Sequence, residues 1–405
     1  MMAGLRRAWL LSAAMLAASS ATAATLKGHS TLPASLLVPG PDSGHFIDAP
    51  EGMETPFGGQ VAQGFSAIVR DGRGGFIALS DNGFGTRDNS RDFLLRLYFL
   101  NANFRMTDTG LGNIDIEGFV SLSDPDRHMP YTITADRSCY RSGEACVEVE
   151  RKIRSNRLLT GADLDPESLQ PGRDGTFWIG DELGPYLLHF SGDGVLLEPP
   201  FELQGLVAEN RPGSDPASAT VRRSRGFEGL GKGPFGEVLV PMLEGPLLGE
   251  EGIVNLYEFD IPAGRFRNAG AKTPGYRYPL DPEAVGIGAF KLYSQSAGLV
   301  IERDSKAGSE ARFKKIFRID LEQTDEQRLL VKEEVLDLLN IDDPDDLDRD
   351  GNTTFSLPMA TIEALAVISR NQVAILTDNN FPFGSARGKT PEDTEFILVE
   401  VSNLW

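Results

Sequence analysis

Histidine is scarce in this sequence, and the four present (His29, His45, His128 and His189) lie far apart along the chain. A zinc site built on histidines needs closely spaced ligands, as in H-E-x-x-H, so the sequence argues against one. Three other patterns are missing: the G-x-S-x-G elbow of α/β-hydrolases, the G-x-x-x-x-G-K-[ST] phosphate loop and the R-H-G-x-R-x-P motif of histidine acid phosphatases. Any hydrolytic chemistry must therefore use other side chains.

Positive charge is also in short supply. The 405 residues include 39 Lys and Arg against 59 Asp and Glu, which gives a net charge of −20. This balance argues against a nucleic acid or an anionic membrane as partner, because both are bound through basic surface. It suits a protein that holds divalent cations, although solubility alone accounts for the same charge. No run of about 18 apolar residues follows the N-terminal region, so we expect no membrane span.

The first 23 residues have the three parts of a secretory signal in order. Arg6 and Arg7 are basic, residues 8–18 are apolar but too few to cross a bilayer, and Ala21-Thr22-Ala23 supplies small residues before a cleavage site. We expect cleavage after Ala23 and a mature protein in the periplasm or outside the cell.

Only two cysteines occur, Cys139 and Cys146. Export places them in an oxidising compartment, so we expect a disulfide that closes a short local loop.

One short pattern, an acid followed by a small and then an aliphatic residue, recurs at wide intervals and indicates a repeat fold. Its copies are Asp165-Pro166-Glu167-Ser168-Leu169, Gly226-Phe227-Glu228-Gly229-Leu230, Asp281-Pro282-Glu283-Ala284-Val285, Thr361-Ile362-Glu363-Ala364-Leu365 and, with serine in place of glutamate, Gly64-Phe65-Ser66-Ala67-Ile68. A turn, a short apolar run and an acidic or amide cluster follow most copies. Such runs, bounded by Gly, Pro, Asn and Asp, indicate strands joined by tight turns.

Most units offer a second pair of strands, and four antiparallel strands are the blade of a β-propeller. We therefore expect an all-β propeller of six blades. Two of them would lie between Ser66 and Glu167, where Ile116-Glu117-Gly118-Phe119 weakly echoes the pattern; five blades is the alternative. We expect strands from both termini to close the ring, with residues 35–38 completing the last blade. Residues 24–405 are then one domain with an acidic insertion around 340–352, which follows a short helix over 332–339.

The hairpins of this fold place two sets of acids on one face. The first set starts the inner strands, and the second ends their hairpin partners about 15 residues later. The predicted metal ligands are Asp81, Glu167, Asp181, Glu182, Glu228, Glu283, Glu363 and Asp378. We expect Glu228, Glu167 and Asp181 to be catalytic, and Arg225, Arg303 and Arg87 to bind the substrate. Oxygen ligands in number suit Ca²⁺ or another hard divalent cation. The alternative is that these acids cap strands and tie blades together.

The acidic insertion contains Asp346-x-Asp348-x-Asp350-Gly351, which matches the opening of a calcium loop with oxygens at alternate positions. The glutamate expected six residues after that glycine is replaced by Leu357. A solvated acidic loop is the alternative.

In combination, Asp163–Ser168, Gly175–Pro185, Gly226–Leu230 and Leu376–Asn380 resemble the "esterase-like activity of phytase" family of secreted bacterial proteins. The resemblance runs from about Gly59 to Val401. It implies a phytase-like β-propeller, periplasmic or extracellular, with esterase or phosphoesterase activity. It supplies no catalytic residues.

The function we expect is hydrolysis of a small phosphoric or carboxylic ester by a monomer, with Ca²⁺ or another divalent cation at the acidic face. A propeller of the cell envelope that binds a ligand or protein without catalysis is the alternative. A lactonase-type ester hydrolase is a second alternative. Ser66 as a nucleophile is a further possibility, but the sequence offers no evident histidine base for it.

Overall fold

The computed structural model describes residues 24–142, 145–402 and 404. The predicted signal, residues 1–23, lies outside the described residues, so its cleavage site stays a prediction. Within the described residues, strands predominate, and helix is limited to α1 (Arg151–Asn156) and the one-turn 3-10 helices Thr134–Asp136, Pro216–Ser218 and Gly308–Glu310. None of these helices is long and apolar enough to cross a membrane.

The strands, numbered along the described chain, are β1 (Thr25–Leu32), β2 (Leu37–Val38), β3 (Gln60–Val61), β4 (Phe65–Arg70), β5 (Phe76–Ser80), β6 (Arg96–Asn103), β7 (Asn113–Ser121), β8 (Cys139–Ser142), β9 (Ala145–Glu148), β10 (Pro166–Pro171), β11 (Phe177–Asp181), β12 (Tyr186–Phe190), β13 (Phe227–Lys232), β14 (Val238–Leu243), β15 (Ile253–Leu256), β16 (Phe259–Asp260), β17 (Arg265–Phe266), β18 (Tyr276–Pro279), β19 (Gly286–Leu292), β20 (Ala297–Arg303), β21 (Lys314–Thr324), β22 (Leu330–Asp337), β23 (Ile341–Asp342), β24 (Thr354–Phe355), β25 (Ile362–Ser369), β26 (Gln372–Thr377) and β27 (Thr394–Glu400).

Most of these strands form five antiparallel blades. Blade 1 is β4–β7, blade 2 is β10–β12, blade 3 is β13–β18, blade 4 is β19–β22, and blade 5 is β25–β27 with β1. The innermost strands β4, β10, β13, β19 and β25 each contact the next, and β25 contacts β4, so the ring closes. The protein is thus a β-propeller, as expected.

The blade count corrects the first expectation of six in favour of the alternative of five. Residues 116–119, which echo the repeat pattern, lie in the outer strand β7 of blade 1. The stretch between blades 1 and 2 contains the β8–β9 hairpin and α1, which do not form a blade. Cys139 and Cys146 are disulfide-bonded across this hairpin, with Cα atoms 5.6 Å apart, as predicted.

Strands from both ends of the chain complete blade 5, as predicted, but the N-terminal segment differs. Thr25–Leu32 pairs antiparallel with Thr394–Glu400. Residues 37–38, part of the segment expected to do this, instead pair with Gln60–Val61. β1 also meets β7 of blade 1 in parallel, at Thr31 and Asn113, so blades 5 and 1 are continuous along their outer edges.

The prediction of a helix over residues 332–339 is wrong, because Leu330–Asp337 is a strand that pairs with β21. Its run of Lys, Glu, Val and Leu favours helix only weakly, and such a preference yields to the hydrogen bonds offered by a neighbouring strand.

The apolar core lies between neighbouring blades. Separate clusters of buried side chains join blades 1 and 2, blades 2 to 4, blades 4 and 5, and blades 5 and 1. At the last of these seams, for example, the rings of Phe76 and Phe396 are 4.8 Å apart. Both faces of an inner strand are covered in this way, which explains continuous apolar runs such as Ala364–Ile368. Polar side chains gather instead at one end of the inner strands.

Candidate functional site

Each of the five inner strands carries a β-bulge at the same place near its start. The register with the second strand shifts there, which leaves one residue unpaired. These residues are Ser66, Glu167, Glu228, Gly288 and Glu363. A bulge turns a side chain out of the strand's alternation, so these five equivalent positions form one ring, which we call the bulge ring.

A second ring comes from the ends of the second strands, where each hairpin returns to the start of its inner strand. Its members are Asp81, Glu182, Glu244, Arg303 and Asp378, 15 or 16 residues after the corresponding bulge residue. We call it the strand-end ring. The two sets of acids do meet at one end of the propeller, because a hairpin brings its two ends together.

Blade 4 is the exception in both rings. Its bulge residue is Gly288 and its strand-end residue is Arg303. A Cβ on Gly288 would lie 2.3 Å from the carbonyl oxygen of Ile362 and 3.5 Å from Arg303 Nε, so the missing side chain makes room for both. Arg303 Nη2 donates to Glu244 Oε1 at 2.9 Å and to Glu363 Oε1 at 3.1 Å. The arginine therefore supplies a fixed positive charge among the acids.

This assignment corrects the prediction for Glu283. The Asp281-Pro282-Glu283 sequence matches the repeat pattern but precedes β19, and Glu283 is exposed. Its place in the bulge ring is taken by Gly288, which a search for acids cannot find.

Gly288→Ala is expected to destabilise the fold by about 3 kcal/mol, because a Cβ placed 2.3 Å from a backbone carbonyl must displace a neighbouring inner strand. Gly118→Ala in β7 is the matched control, since its Cβ would meet Phe99 at an ordinary 3.6 Å. Urea unfolding of both variants measures the difference. Equal stability of the two would contradict the close packing at Gly288.

Glu167 lies at the centre of the acidic site. One carboxylate oxygen each from Glu167, Glu228 and Glu363 lie within 4.8 Å of one another, and the same holds for Asp165, Glu167 and Glu182. All five residues are buried, with 8% exposure or less. Glu167 Oε2, Glu182 Oε1 and Glu228 Oε1 have no hydrogen-bond partner within the described part of the chain. Buried carboxylate oxygens without partners are costly, so this arrangement fits a bound cation.

Burial raises the pKa of every carboxyl group in the site. Burial and then the neighbouring acids Asp165 and Glu228 raise the pKa of Glu167 well above its usual value. The pKa of Glu228 is raised in the same way by burial and by Glu363 and Glu244. Burial raises the pKa of Glu363 to about 8 even though Arg303 lowers it. A raised pKa favours the protonated form of a carboxyl group, so a divalent cation would compete with protons for these groups.

Residues 60–381, most of the chain, match the phytase-like family described as "esterase-like activity of phytase". The chain belongs to this family. The resemblance noted from the motifs is thereby confirmed.

Other proteins are similar to this phytase-like protein at lower coverage or lower sequence identity. An uncharacterized secreted protein of Arthroderma benhamiae is 28% identical over 185 residues, which cover 37% of this chain and about a third (36%) of that protein. Among solved structures, the PQQ-bound aldose sugar dehydrogenase of Streptomyces coelicolor aligns with a TM-score of 0.38 and 11% identity, over 85% of this chain and 96% of that one. The Dos1 propeller aligns with a TM-score of 0.30 and 9% identity, over 83% of this chain and 68% of that one.

Asp181, predicted to be catalytic and a metal ligand, has a structural role in the phytase-like site. It is fully buried, and its two oxygens accept hydrogen bonds from the backbone N–H groups of Asp165 (2.7 Å) and Gly184 (2.8 Å). The strand-end position belongs to the next residue, Glu182. Asp181 thus holds the turn that carries Glu182, and burial raises its pKa to about 8.

Asp81 and Asp378 lie at the ends of the second strands as predicted, but other groups of the protein already use part of their hydrogen-bonding capacity. Asp81 Oδ1 accepts from the N–H of Gly83 at 2.7 Å. Asp378 Oδ1 accepts from the N–H of Asn380 at 2.9 Å, and its Oδ2 accepts from the Thr361 hydroxyl at 2.9 Å. Asp81 is partly exposed, so it lies on the solvent side of the site.

The three predicted substrate-binding arginines have different surroundings. Arg87 donates to the carbonyl oxygens of Ala162 (2.9 Å) and Asn210 (3.4 Å), which is a structural arrangement. Arg303 is buried among the acids, as described above. Arg225 is partly exposed beside the site, where Nη1 lies 2.8 Å from Glu244 Oε1.

Arg225 also lines a surface pocket of about 580 Å³. The charged residues of its wall are Arg222, Arg223, Arg225, Glu209, Glu250 and Glu251. Gly245, the residue after Glu244, belongs to the same wall. The pocket therefore lies next to the strand-end ring, with Arg225 at the boundary.

Two acids of the site were missed in the sequence. Glu244 is the strand-end residue of blade 3, and Asp165 accepts hydrogen bonds from the backbone and side chain of Asn82 at 3.1 and 2.7 Å. Each strand-end residue follows the bulge residue of its blade by 15 or 16 residues. This spacing is the sequence signal that could have found Glu244 and the Gly288–Arg303 pair.

Ser66 is 1% exposed, and its hydroxyl donates to Glu363 Oε2 at 3.2 Å. It is a bulge-ring residue like the glutamates, so it offers a neutral oxygen where other blades offer a charged one.

In the acidic insertion, Asp346, Asp348 and Asp350 were predicted as calcium ligands, but the structure does not bring all three together. Asp350 is exposed and its carboxylate accepts hydrogen bonds from the backbone (2.7 Å) and side chain (2.9 Å) of Asn352. Asp343 takes its place beside Asp346 and Asp348, with one oxygen of each within 4.8 Å of the others.

Proposed function

We propose that this protein is an exported hydrolase of small phosphoric or carboxylic esters that depends on a divalent cation. Glu167, Glu228 and Glu363 hold the cation, and Asp165 and Glu182 complete the acidic side. The observation that supports this most directly is the set of buried carboxylate oxygens without partners around Glu167. Oxygen-only ligands favour Ca²⁺ among the common cations.

The cation would supply positive charge that polarises the ester and lowers the pKa of water at the site. The protein's own residues do the rest. Arg303 pairs with both Glu244 and Glu363 and offsets part of their negative charge, so the site does not carry the full repulsion of its acids. Glu182 has a raised pKa and lies next to Glu244 and Arg225, where it is suited to carry a proton to or from a substrate in the adjoining pocket.

The substrate enters from the pocket beside Arg225. The guanidinium groups of Arg222 and Arg223 are exposed on its wall, and an arginine binds a phosphate or carboxylate through two parallel hydrogen bonds. The three glutamates of the wall restrict the anionic part of the substrate to the arginine side. We therefore favour a phosphoric ester over a neutral carboxylic ester or a lactone.

Hydrolysis assays on the mature protein test this proposal. The substrates are p-nitrophenyl phosphate, p-nitrophenyl acetate and a simple lactone, each after EDTA treatment and after adding back Ca²⁺, Mg²⁺ or Mn²⁺. We expect the phosphate to be hydrolysed, EDTA to stop the reaction and a cation to restore it. Acetate hydrolysis that is indifferent to EDTA would contradict the proposal and turn attention to Ser66. A folded protein that binds the cation but hydrolyses none of the three supports the alternative, a propeller that binds ligands without catalysis.

A further inference from the structure

A second group of carboxylates lies outside both rings, in the loop between β23 and β24. Oxygens of Asp343, Asp346 and Asp348 are within 4.8 Å of one another. The loop belongs to the outer part of blade 5, where β23 pairs with the N-terminal strand β1 at Thr25 and Asp342.

Asp343 is what distinguishes this group from an ordinary acidic loop. It is 1% exposed, and although Oδ2 accepts from the N–H of Leu347 at 2.8 Å, Oδ1 has no partner. Within the described ranges, no Lys, Arg or His forms an ion pair with any of the three carboxylates. His29 and Arg387 are close enough to offset part of the rise that burial causes in the pKa of Asp348, and Arg105 also interacts with it, but none of them forms an ion pair with these carboxylates. A buried carboxylate that faces two others without an ion-pair partner is unfavourable, so the arrangement favours a bound cation.

The other two ligands are held in place by the loop itself. Asp346 Oδ1 accepts from the N–H of Gly351 at 3.0 Å, and Asp348 Oδ1 accepts from the N–H of Asp350 at 3.2 Å. Both side chains are half-buried, and burial raises the pKa of Asp348. Three carboxylates in an irregular loop match the flexible, all-oxygen coordination of Ca²⁺ better than the strict octahedron of Mg²⁺.

The position of the loop indicates what a cation would do there. The N–H of Asp342 donates to the carbonyl of Ala24 at 2.9 Å, which ties the loop to the beginning of β1. From blade 1, Arg105 Nη1 donates to the carbonyl of Leu347 at 2.8 Å and the Thr107 hydroxyl donates to Asp345 at 2.7 Å. The loop therefore contacts segments of both blades at the seam where the ring closes.

We propose that Asp343, Asp346 and Asp348 bind a Ca²⁺ ion that stabilises the seam between blades 5 and 1. This site is independent of the acidic rings and of any catalysis. We assign it a structural role, because the loop is bonded to β1 on one side of the seam and to the β6–β7 segment of blade 1 on the other.

Calcium titration of the mature protein, with CaCl2 as the only added ligand, tests the proposal. Asp343→Asn is expected to bind one Ca²⁺ fewer per chain than the parent by isothermal titration calorimetry. It should also lose about 2 °C or more of the rise in Tm that Ca²⁺ produces. In EDTA its Tm should equal or exceed that of the parent, because asparagine still accepts the Leu347 hydrogen bond and removes one charge from the cluster. A purely structural aspartate would instead lower Tm in both conditions.

Asp350→Asn is the matched control, since Asp350 lies in the same loop but outside the cluster, and it should behave as the parent. If Asp343→Asn does not fold, Asp348→Asn replaces it with the same expectations. Unchanged stoichiometry together with an unchanged Ca²⁺ effect on Tm in the aspartate variant would overturn the proposal.

Discussion

Glu228→Gln is expected to reduce cation-dependent hydrolysis by about 100-fold or more and to leave the fold intact. Loss of a residue that only orients a metal ligand costs about 10–100-fold, so loss of a central ligand should cost at least the upper end of that range. Glutamine has nearly the same shape as the protonated acid, and the raised pKa of Glu228 indicates that the cation-free site already favours the protonated form. The stability of the cation-free protein should therefore be unchanged or increased.

Glu283→Gln is the control for this experiment. It removes one glutamate with the same sequence pattern, but Glu283 is exposed and outside both rings. We expect parental turnover and cation affinity. Steady-state kinetics and calorimetric titration with CaCl2 on the two variants measure the contrast. Equal losses in both would show that net charge matters and that the ring geometry does not.

The contrast between Glu228 and Glu283 illustrates where sequence reasoning succeeded and where it failed. The strands and hairpins of the blades follow from local signals, such as the turn over Asp71–Gly75, where two N–H groups bond to Asp71 Oδ1 at 2.7 and 2.9 Å. The placement of the acids at one end then follows from hairpin geometry alone. Four of the five bulge-ring members were predicted in this way.

The remaining features depend on contacts between segments far apart in sequence. A bulge is defined by the register of two strands, so the acid–small–aliphatic pattern without the register cannot separate Asp281-Pro282-Glu283 from Asp165-Pro166-Glu167. Gly288 is required by the carbonyl of Ile362 on the next blade, which no pattern within blade 4 can reveal. The prediction of six blades was wrong for the same reason, since the echo of the pattern at residues 116–119 lies in an outer strand of blade 1, which only the strand pairing reveals.

Arg303 was predicted to bind the substrate, but its position in the strand-end ring gives it a different task. It is 8% exposed, and it pairs with Glu244 and Glu363 across the gap left by Gly288. Burial lowers its pKa, but the surrounding carboxylates outweigh burial and raise it, so the charge is permanent. A fixed guanidinium allows a ring of this many acids to exist before any cation is bound.

Arg303→Met is therefore expected to destabilise the cation-free protein by about 3 kcal/mol at pH 8, the cost of removing one partner from a buried ion pair. The loss should be smaller at pH 5. The carboxyl groups of the site have pKa values raised above those of the unfolded chain, to about 8 for Glu363. Their contribution to stability is therefore complete at low pH and is lost as the pH rises towards 8 and they ionise. Without Arg303, no guanidinium offsets the negative charge that forms as these carboxyl groups ionise. The free-energy cost of the substitution therefore grows as the pH rises from 5 to 8.

Urea unfolding of the parent and the variant at pH 5 and pH 8, in EDTA and in CaCl2, measures this dependence. The relevant quantity is the difference in free energy of unfolding between the two proteins, because other groups titrate in this range, such as buried Lys291, whose pKa burial lowers to about 7.

Calcium should reduce the loss of stability caused by Arg303→Met at pH 8. It should also bind the variant more tightly than the parent, since it replaces a missing positive charge. Arg173→Met is the matched control, because the Arg173–Glu237 pair is exposed and a surface pair of this kind contributes little. A variant that instead shows a raised KM with parental stability and calcium affinity would return Arg303 to the role of a substrate ligand.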